Sequence, residues 1–273
     1  MRRLFGVFLT FLALSGVAAS AQPQPLSIPG EIVPNLDTTD RAALAGFEQG
    51  RITHITFHHE GFAGDDADLF RRASTARAKQ SIDQRVRNIN HYHATQAGLG
   101  MFAYHYAVDK SGLIAKGRPV RLKPATRSTL PGSRRLADFD GHFAVVALGD
   151  FNHEELTPAS RLALVRVMSE AQRAYRVPTA NILPHKHHAA TSCPGRHILK
   201  EADRLQEMVL IFSLQSELVA RGCLADAPDG RWGRKSKRAF EQLLQRNRGT
   251  GLGEQAGDAA LFRMLDAPRA ICN

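Results

Sequence analysis

Residues 51–59 read Arg-Ile-Thr-His-Ile-Thr-Phe-His-His and have the pattern of a β-strand. β-Branched and aromatic side chains alternate with polar ones, which is the period of two that a β-strand requires. The stretch ends in a histidine pair, His58 and His59. The pattern therefore predicts a strand that carries two imidazoles to the edge of a β-sheet.

The segments that follow predict further strands and helices around this one. A helical pattern covers about residues 81–96, and a second begins at Thr157 with Pro158 at the first helical position and runs to about Tyr175. The predicted strands are residues 102–108 and 113–116, which form a hairpin, then 142–148 and 181–183. Strands that alternate irregularly with helices indicate an α/β domain, with a mixed central β-sheet flanked by helices, over residues 47–205.

The composition and periodicity of the sequence change on either side of this domain. Residues 22–46 open with a proline-rich stretch of little periodicity, which predicts an extended lead-in. From about residue 206 the sequence favours helices joined by Gly- and Asp-rich turns, without a convincing strand. Residues 206–273 are therefore predicted to form a small, separate all-α domain of three helices.

The first 21 residues have the pattern of a secretory signal peptide. Arg2 and Arg3 precede an apolar run from residue 4 to 18, and Ala19-Ser20-Ala21 is a small-x-small cleavage site. The run is shorter than the roughly 20 apolar residues that cross a bilayer. We therefore expect cleavage after Ala21 and a periplasmic or secreted protein without a membrane span.

Composition limits the class of protein. The chain has 273 residues, 43% hydrophobic and 23% charged, which is typical of a globular protein. Its 36 Lys and Arg against 26 Asp and Glu give a formal net charge of +10, which favours an anionic partner. The basic residues do not interleave with aromatic ones as in a nucleic-acid groove, so we expect no nucleic-acid partner. Cell-wall polymers, lipopolysaccharide, outer-leaflet phosphates and a merely solvated basic surface stay open.

Three cysteines in an exported chain make an odd number, so one is left unpaired or bound to something else. Cys223 and Cys272 both lie in the last fifth of the chain, and their disulfide is the economical pairing. Cys193, in a tight turn before Pro194 and Gly195, is then left for chemistry. Three buried thiols are the alternative.

Residue types that commonly bind zinc lie at or shortly after the predicted strand ends. His58 ends one strand, His185 follows another, and Cys193 comes shortly after it. Catalytic zinc takes three protein ligands from histidine, cysteine and carboxylate and leaves a fourth position for water. Since strands of one sheet bring distant residues together at a common end, these three predict a zinc site.

Several motifs follow one another in a characteristic order over about residues 47–205. They are His58-His59, Tyr104-His105-Tyr106, Gly112, Gly117-Arg118, Gly149-Asp150-Phe151, His185 and Thr191-x-Cys193-Pro194-Gly195. Together they resemble the zinc-dependent N-acetylmuramoyl-L-alanine amidases, the superfamily shared by bacterial and phage amidases and the animal peptidoglycan recognition proteins. The resemblance implies hydrolysis of the amide bond between N-acetylmuramic acid and L-alanine in peptidoglycan.

The resemblance also implies roles for single residues. His58, His185 and Cys193 would bind the zinc ion, whereas His187 and His188 fall off the family spacing. Tyr104 would lie beside the metal and hydrogen-bond the water or the oxyanion, and Thr191 would lie near the substrate carbonyl. Some relatives have a glutamate base in the strand that reads 142–148 here, and this chain has none there. Glu60 is the candidate substitute.

The C-terminal segment resembles the three-helix peptidoglycan-binding module over about residues 213–265. The residues that carry the likeness are Leu214-Gln215, Leu218, Gly222, Asp229-Gly230-Arg231-Trp232-Gly233, Lys235, Ala239-Phe240 and Leu243. Such a module would hold the enzyme on the wall polymer and raise its local concentration there.

Two other classes of function stay open at this stage. One is a recognition module of the same fold that binds peptidoglycan or muropeptides without cleaving them. The other is a cysteine hydrolase with Cys193 as nucleophile. Whether the substrate is the intact wall or released, anhydro muropeptides is also open.

Overall fold

The computed structural model describes residues 22–37, 39–129, 131, 139–246, 255–267 and 272. The predicted signal peptide, Met1 to Ala21, lies outside the described residues. The strands are β1 (His54–His59), β2 (Tyr106–Val108), β3 (Ile114–Lys116), β4 (His142–Ala147) and β5 (Ile182–Pro184). The helices are α1 (Ala67–Arg77), α2 (Ile82–Thr95), α3 (Pro158–Tyr175), α4 (Arg196–Leu199), α5 (Ala202–Ala220), α6 (Arg234–Arg246) and α7 (Asp258–Asp266).

The strands form one mixed sheet in the order β3-β2-β4-β1-β5. β1 pairs in parallel with both β4 and β5, β2 pairs in parallel with β4, and only β3 is antiparallel, to β2. Every residue of β4 is buried, because helices cover both faces of the sheet. The predicted α/β class with a mixed sheet is confirmed. The parallel pairing brings the carboxyl ends of β1, β4 and β5 to one edge.

The two faces of the sheet pack against different helices. Ile55 and Phe57 of β1 lie in the cluster formed with α3 and α5. Successive side chains of a strand point to opposite faces, so His58 lies on the other face, the one that α2 covers. The period of two thus separates the core residues of β1 from its histidine.

Helix boundaries follow capping side chains. Ser81 caps α2 in a reciprocal capping box with Gln84, and Thr157 accepts a hydrogen bond from Ser160 N at the start of α3. Both helices agree with the prediction. The sequence did not predict α1, which buries no residue and so has no apolar stripe to recognise.

The predicted strand over residues 102–108 is shorter than expected. Only residues 106–108 pair as β2. The amide of Phe102 donates instead to Asn90 Oδ1 at 2.6 Å, and that of Ala103 donates to His93 Nδ1 at 3.1 Å. Side chains of α2 therefore bind the amides of residues 102 and 103, whereas the amide of His105 still donates to Ala144 O of β4.

Helix α5 continues across residue 206, where the sequence predicts the start of a separate helical domain. Its first half, with Leu205 and Val209, packs in the core beneath the sheet. Its second half, with Leu214 and Leu218, packs against α6 and α7. One continuous helix thus belongs to both hydrophobic clusters, and the division at residue 206 stays a proposal. In the described part of the chain, no helix is both long and apolar enough to span a bilayer.

Helix α7 is also bonded to the segment between α3 and β5. Asp258 in the first turn of α7 accepts from Thr179 N at 2.8 Å and from Thr179 Oγ1 at 2.6 Å. Arg176, at the end of α3, pairs with Asp266 at 2.7 Å. Because residues 179–181 lead directly into β5, α7 is joined to the segment that precedes His185.

The side chain of Gln215 stabilises the Asp-Gly turn of the C-terminal motif by hydrogen bonds. Its Oε1 accepts from the amides of Asp229 and Gly230, both at 2.9 Å, and its Nε2 donates to Asp229 Oδ1 at 2.8 Å.

The predicted disulfide between Cys223 and Cys272 is confirmed. It spans a sequence separation of 49, for which a chain-entropy model gives about 4 kcal/mol of stabilisation.

Candidate metal centre

The structure brings the three predicted ligands together at the carboxyl edge of the sheet. His58 lies in β1, His185 follows β5 directly, and Cys193 lies in the turn before α4. One ligand atom of each lies within 4.8 Å of the others, and it is the one such group of His, Cys, Asp or Glu among the described residues. All three side chains are 9% exposed or less.

The spacing of these atoms suits a tetrahedral zinc ion. Cys193 Sγ lies 3.6 Å from His58 Nδ1. Zn–S and Zn–N bonds of roughly 2.3 and 2.0–2.1 Å at a tetrahedral angle place the two donor atoms about 3.6 Å apart. The Nε2 of His185 is hydrogen-bonded to the carbonyl of Arg127 at 2.7 Å, which leaves its Nδ1 lone pair for a metal.

Burial fixes the protonation of all three groups. It lowers the pKa of His58 well below the ordinary value, and His185 nearby lowers it further. Burial also lowers the pKa of His185, against the opposing effect of its bond to Arg127. Both imidazoles are therefore neutral and can donate a lone pair. Burial raises the pKa of the Cys193 thiol to about 12, so a bound cation is what would hold it as thiolate.

Tyr104 lies beside this group. Its ring centroid is 5.0 Å from that of His58. Burial raises the pKa of its hydroxyl, and Cys193 and Glu60 raise it further. The phenol therefore keeps its proton at any physiological pH and is a hydrogen-bond donor.

The buried Arg118 of the Gly117-Arg118 motif holds the segments before and after Tyr104. It is 1% exposed, and burial lowers its pKa to about 9. Its guanidinium satisfies four backbone carbonyls, those of Leu99, Met101, Phe102 and Lys123. The motif therefore has a structural role, which places Tyr104 at the sheet edge.

Thr191 contacts the site through the cysteine turn. Its Oγ1 accepts from Cys193 N at 3.2 Å, and its carbonyl accepts from Lys186 Nζ at 3.2 Å. The hydroxyl oxygen is the acceptor in the first bond, so its own proton is left to donate. Thr191 thus shapes the turn that carries Cys193, and its role toward the substrate stays a proposal.

Glu60 lies at the rim of the site and is held by two arginines. Its Oε1 accepts from Arg77 Nε at 2.9 Å and its Oε2 accepts from Arg85. The side chain is 12% exposed. Each carboxylate oxygen thus accepts from one arginine and keeps a second lone pair that can accept a proton from water. Its role as general base stays a proposal.

The second histidine of the pair, His59, supports the loops and is not a ligand in this group. Its Nδ1 accepts from Phe151 N at 3.1 Å, and burial lowers its pKa to about 4 although Asp150 opposes this. Asp150 in turn accepts from the amides of Phe62 and Ala63 at 2.9 and 2.8 Å. The Gly-Asp-Phe motif thus fixes the loop after β1. His188, off the family spacing, packs against His142 with ring centroids 4.8 Å apart.

Gly195 is required where the cysteine turn meets this loop. Its φ is +89°, and an added Cβ would lie 2.5 Å from the carbonyl carbon of Phe151 and 2.9 Å from His59 Nδ1. We expect Gly195→Ala to destabilise the fold by at least about 2 kcal/mol and to displace Cys193. Gly233→Ala is the matched control, because an added Cβ there meets nothing within 4 Å. Thermal unfolding and zinc titration measure both effects; a Gly195→Ala protein as stable as the control would contradict this reading.

A groove beside the site contains residues that the sequence did not single out. It has a volume of about 510 Å³ and lies between the end of β1 and helices α1 and α2. Arg77, Arg85, Tyr92 and His93 line it together with Glu60. His93 Nδ1 accepts from Ala103 N, and burial lowers its pKa to about 4, so a neutral ring carries its proton on Nε2. A histidine in an amphipathic helix does not by itself indicate that the helix lines a groove.

The fold and this donor set define a candidate metal-dependent hydrolase. Residues 48–196 match the family model described as N-acetylmuramoyl-L-alanine amidase. The match covers more than half of the chain, and the chain belongs to the N-acetylmuramoyl-L-alanine amidase family. It is thus an enzyme of peptidoglycan amide hydrolysis.

Several solved structures resemble the chain at low identity. The endolysin N-acetylmuramoyl-L-alanine amidase LysCS from Clostridium intestinale is 22% identical over 56% of this chain and 84% of that one, with a TM-score of 0.40. Drosophila PGRP-LB is 18% identical over 57% and 82%, with a TM-score of 0.43. The Ph2119 endolysin from a Thermus scotoductus bacteriophage is 20% identical over 58% and 88%, with a TM-score of 0.42. No curated protein matches the chain, and the family assignment rests on the family match alone.

Proposed function

We propose that His58, His185 and Cys193 bind a zinc ion with which the enzyme cleaves the amide bond between N-acetylmuramic acid and L-alanine. The observation that carries the proposal is the convergence of the three donor atoms within 4.8 Å, with Cys193 Sγ at 3.6 Å from His58 Nδ1. The donor set of two imidazoles and one thiol is typical of zinc. The fourth tetrahedral position is then left for water or substrate.

Zinc bound at such a site acts as a Lewis acid and lowers the pKa of a water molecule to about 7. The residues of the chain supply what remains. The phenol of Tyr104 donates a hydrogen bond to the carbonyl oxygen as negative charge develops there, and the hydroxyl of Thr191 is a second candidate donor. Glu60 is the candidate for the proton acceptor. Addition of water yields the lactyl carboxylate and a stem peptide with a free L-alanine amine.

The alternative of a recognition module without catalysis is less well supported. The presence of all three metal-binding side chains in one group favours the enzyme, because binding of a wall fragment alone does not need them. The cysteine hydrolase is less well supported. Its thiol pKa of about 12 keeps Cys193 protonated without a cation, and Pro194 has no amide hydrogen for an oxyanion hole.

The substrate that best suits the whole chain is the wall polymer outside the cytoplasm. The N-terminal signal pattern supports export, and the C-terminal sequence motifs support a peptidoglycan-binding module. The side chain of Gln215 orders the Asp-Gly turn of that module. Attachment to an insoluble polymer raises the local concentration of the catalytic site on it.

Helix α6 offers a surface for this attachment. Ser236, Ala239, Phe240 and Leu243 are buried, whereas its Lys and Arg side chains are exposed. We expect Arg234→Gln/Arg238→Gln to weaken sedimentation with peptidoglycan several-fold at low salt, with the difference lost at high salt.

The control for this prediction makes the same change in charge elsewhere. Arg41→Gln/Arg51→Gln removes two exposed arginines that lie outside the C-terminal segment. Equal loss of wall binding in the two double variants would show a non-specific effect of net charge and would contradict a role for α6.

The metal content of the purified protein tests the proposed centre. Elemental analysis after dialysis is expected to give one zinc ion per chain, and a chelator is expected to remove it together with the activity on peptidoglycan. A His185→Ala variant is expected to bind no zinc, whereas His187→Ala, an exposed histidine two residues away, keeps it. Zinc retained by His185→Ala would contradict the ligand set.

A further inference from the structure

Residues 125–129 form a strap that runs from the neighbour of Tyr104 to the segment that carries His185. At one end, Ala125 N donates to Ala103 O at 3.0 Å. At the other end, the Arg127 carbonyl accepts from His185 Nε2 at 2.7 Å.

The strap is joined to the His185 segment by more than this one bond. Ser128 Oγ donates to His188 O at 3.0 Å, and Thr129 N donates to the same carbonyl at 3.0 Å. Ala190 N donates to Thr129 Oγ1 at 3.1 Å. Three hydrogen bonds therefore fix the chain immediately after the Arg127 carbonyl, and the position of that carbonyl follows from them.

The bond from the Arg127 carbonyl decides which nitrogen of His185 can bind a metal. A carbonyl oxygen only accepts hydrogen bonds, so the proton must lie on Nε2 and the lone pair on Nδ1. Rotation of the ring about its bonds would lose this hydrogen bond at a site where His185 is only 9% exposed. The strap thus restricts both the tautomer and the direction of the ring.

We propose that the strap of residues 125–129 holds His185 in the orientation and tautomer that bind the metal, with Ser128 and Thr129 as positioning residues. This inference rests on the proposed zinc centre. Neither side chain touches the metal group itself; each acts through the backbone of Arg127 and of residues 188–190.

The double variant Ser128→Ala/Thr129→Val tests the proposal. It removes the two hydrogen bonds made by the side chains of Ser128 and Thr129 and keeps the backbone bond from Thr129 N to His188 O. We expect zinc affinity, measured by competition with a chromophoric chelator, to fall about tenfold, the lower end of what partners of metal-bound histidines contribute. Long-range ¹H–¹⁵N NMR of the metal-free protein is expected to show His185 as the single Nε2–H tautomer in the wild type and as a mixture in the variant.

Thr126→Val is the matched control. Thr126 lies in the same strap and is 7% exposed, but its Oγ1 has no hydrogen-bond partner among the described residues. We expect its zinc affinity to stay within twofold of the wild type. A double variant with wild-type zinc affinity and a single His185 tautomer would overturn the proposal. A wild type that binds no zinc would instead refute the proposed centre, and the tautomer measurement would still test the strap.

Discussion

Cys193→Ala is expected to lose its zinc and to lower the rate of amide hydrolysis by at least about a thousandfold, since the reaction then lacks its source of activated water. The side chain supplies the one soft donor of the group, at 3.6 Å from His58 Nδ1. Two neutral imidazoles alone leave the ion with too few protein ligands for a stable catalytic site. Elemental analysis and release of stem peptides from peptidoglycan measure both effects.

Cys193→Asp separates a ligand from a nucleophile at this position. A carboxylate also binds zinc, so this variant is expected to keep part of the metal and part of the activity. It cannot act as the thiolate of a cysteine hydrolase. Full activity in Cys193→Ala would exclude Cys193 as a ligand, and a metal-loaded but inactive Cys193→Asp would favour the nucleophile.

Tyr104→Phe is expected to lower kcat by a factor of about 10²–10³ while zinc content is unchanged, which is the effect of removing one donor to an oxyanion. The ring lies 5.0 Å from that of His58, and burial keeps the hydroxyl protonated by raising its pKa. The hydrogen bond strengthens only as charge develops on the carbonyl oxygen, so KM changes little. Steady-state kinetics on a soluble muropeptide separate the two constants.

The control for this variant is Tyr92→Phe. Tyr92 is 53% exposed on α2 and lines the outer part of the groove. We expect loss of the Tyr92 hydroxyl to leave kcat within a few-fold of the wild-type value. A Tyr104→Phe enzyme with wild-type kcat would refute the assigned role of the phenol.

The parts of the fold that the sequence predicted are those with a strong local pattern. β1 and β4 are runs of apolar or alternating residues, and α3 has Thr157, Pro158 and a buried stripe to define it. The meeting of the candidate metal-binding residues was predictable for a physical reason: parallel strands end at a common edge, and His58 and His185 lie at the ends of β1 and β5.

The rest depends on contacts that no local pattern encodes. α1 buries no residue, so hydrophobic periodicity could not reveal it, yet it brings Arg77 to Glu60. The side chains of Asn90 and His93 bind the amides of residues 102 and 103, and these two residues do not belong to β2. The orientation of His185 depends on a backbone carbonyl, that of Arg127, and a carbonyl carries no sequence signal.

Digestion of purified peptidoglycan by the purified protein, with mass spectrometry of the released products, tests the proposed zinc-dependent hydrolysis. We expect free stem peptides that begin with L-alanine, their disappearance when a chelator is added, and their return with zinc. Release that persists in chelator would contradict the zinc mechanism, and binding to the wall without any release would contradict catalysis.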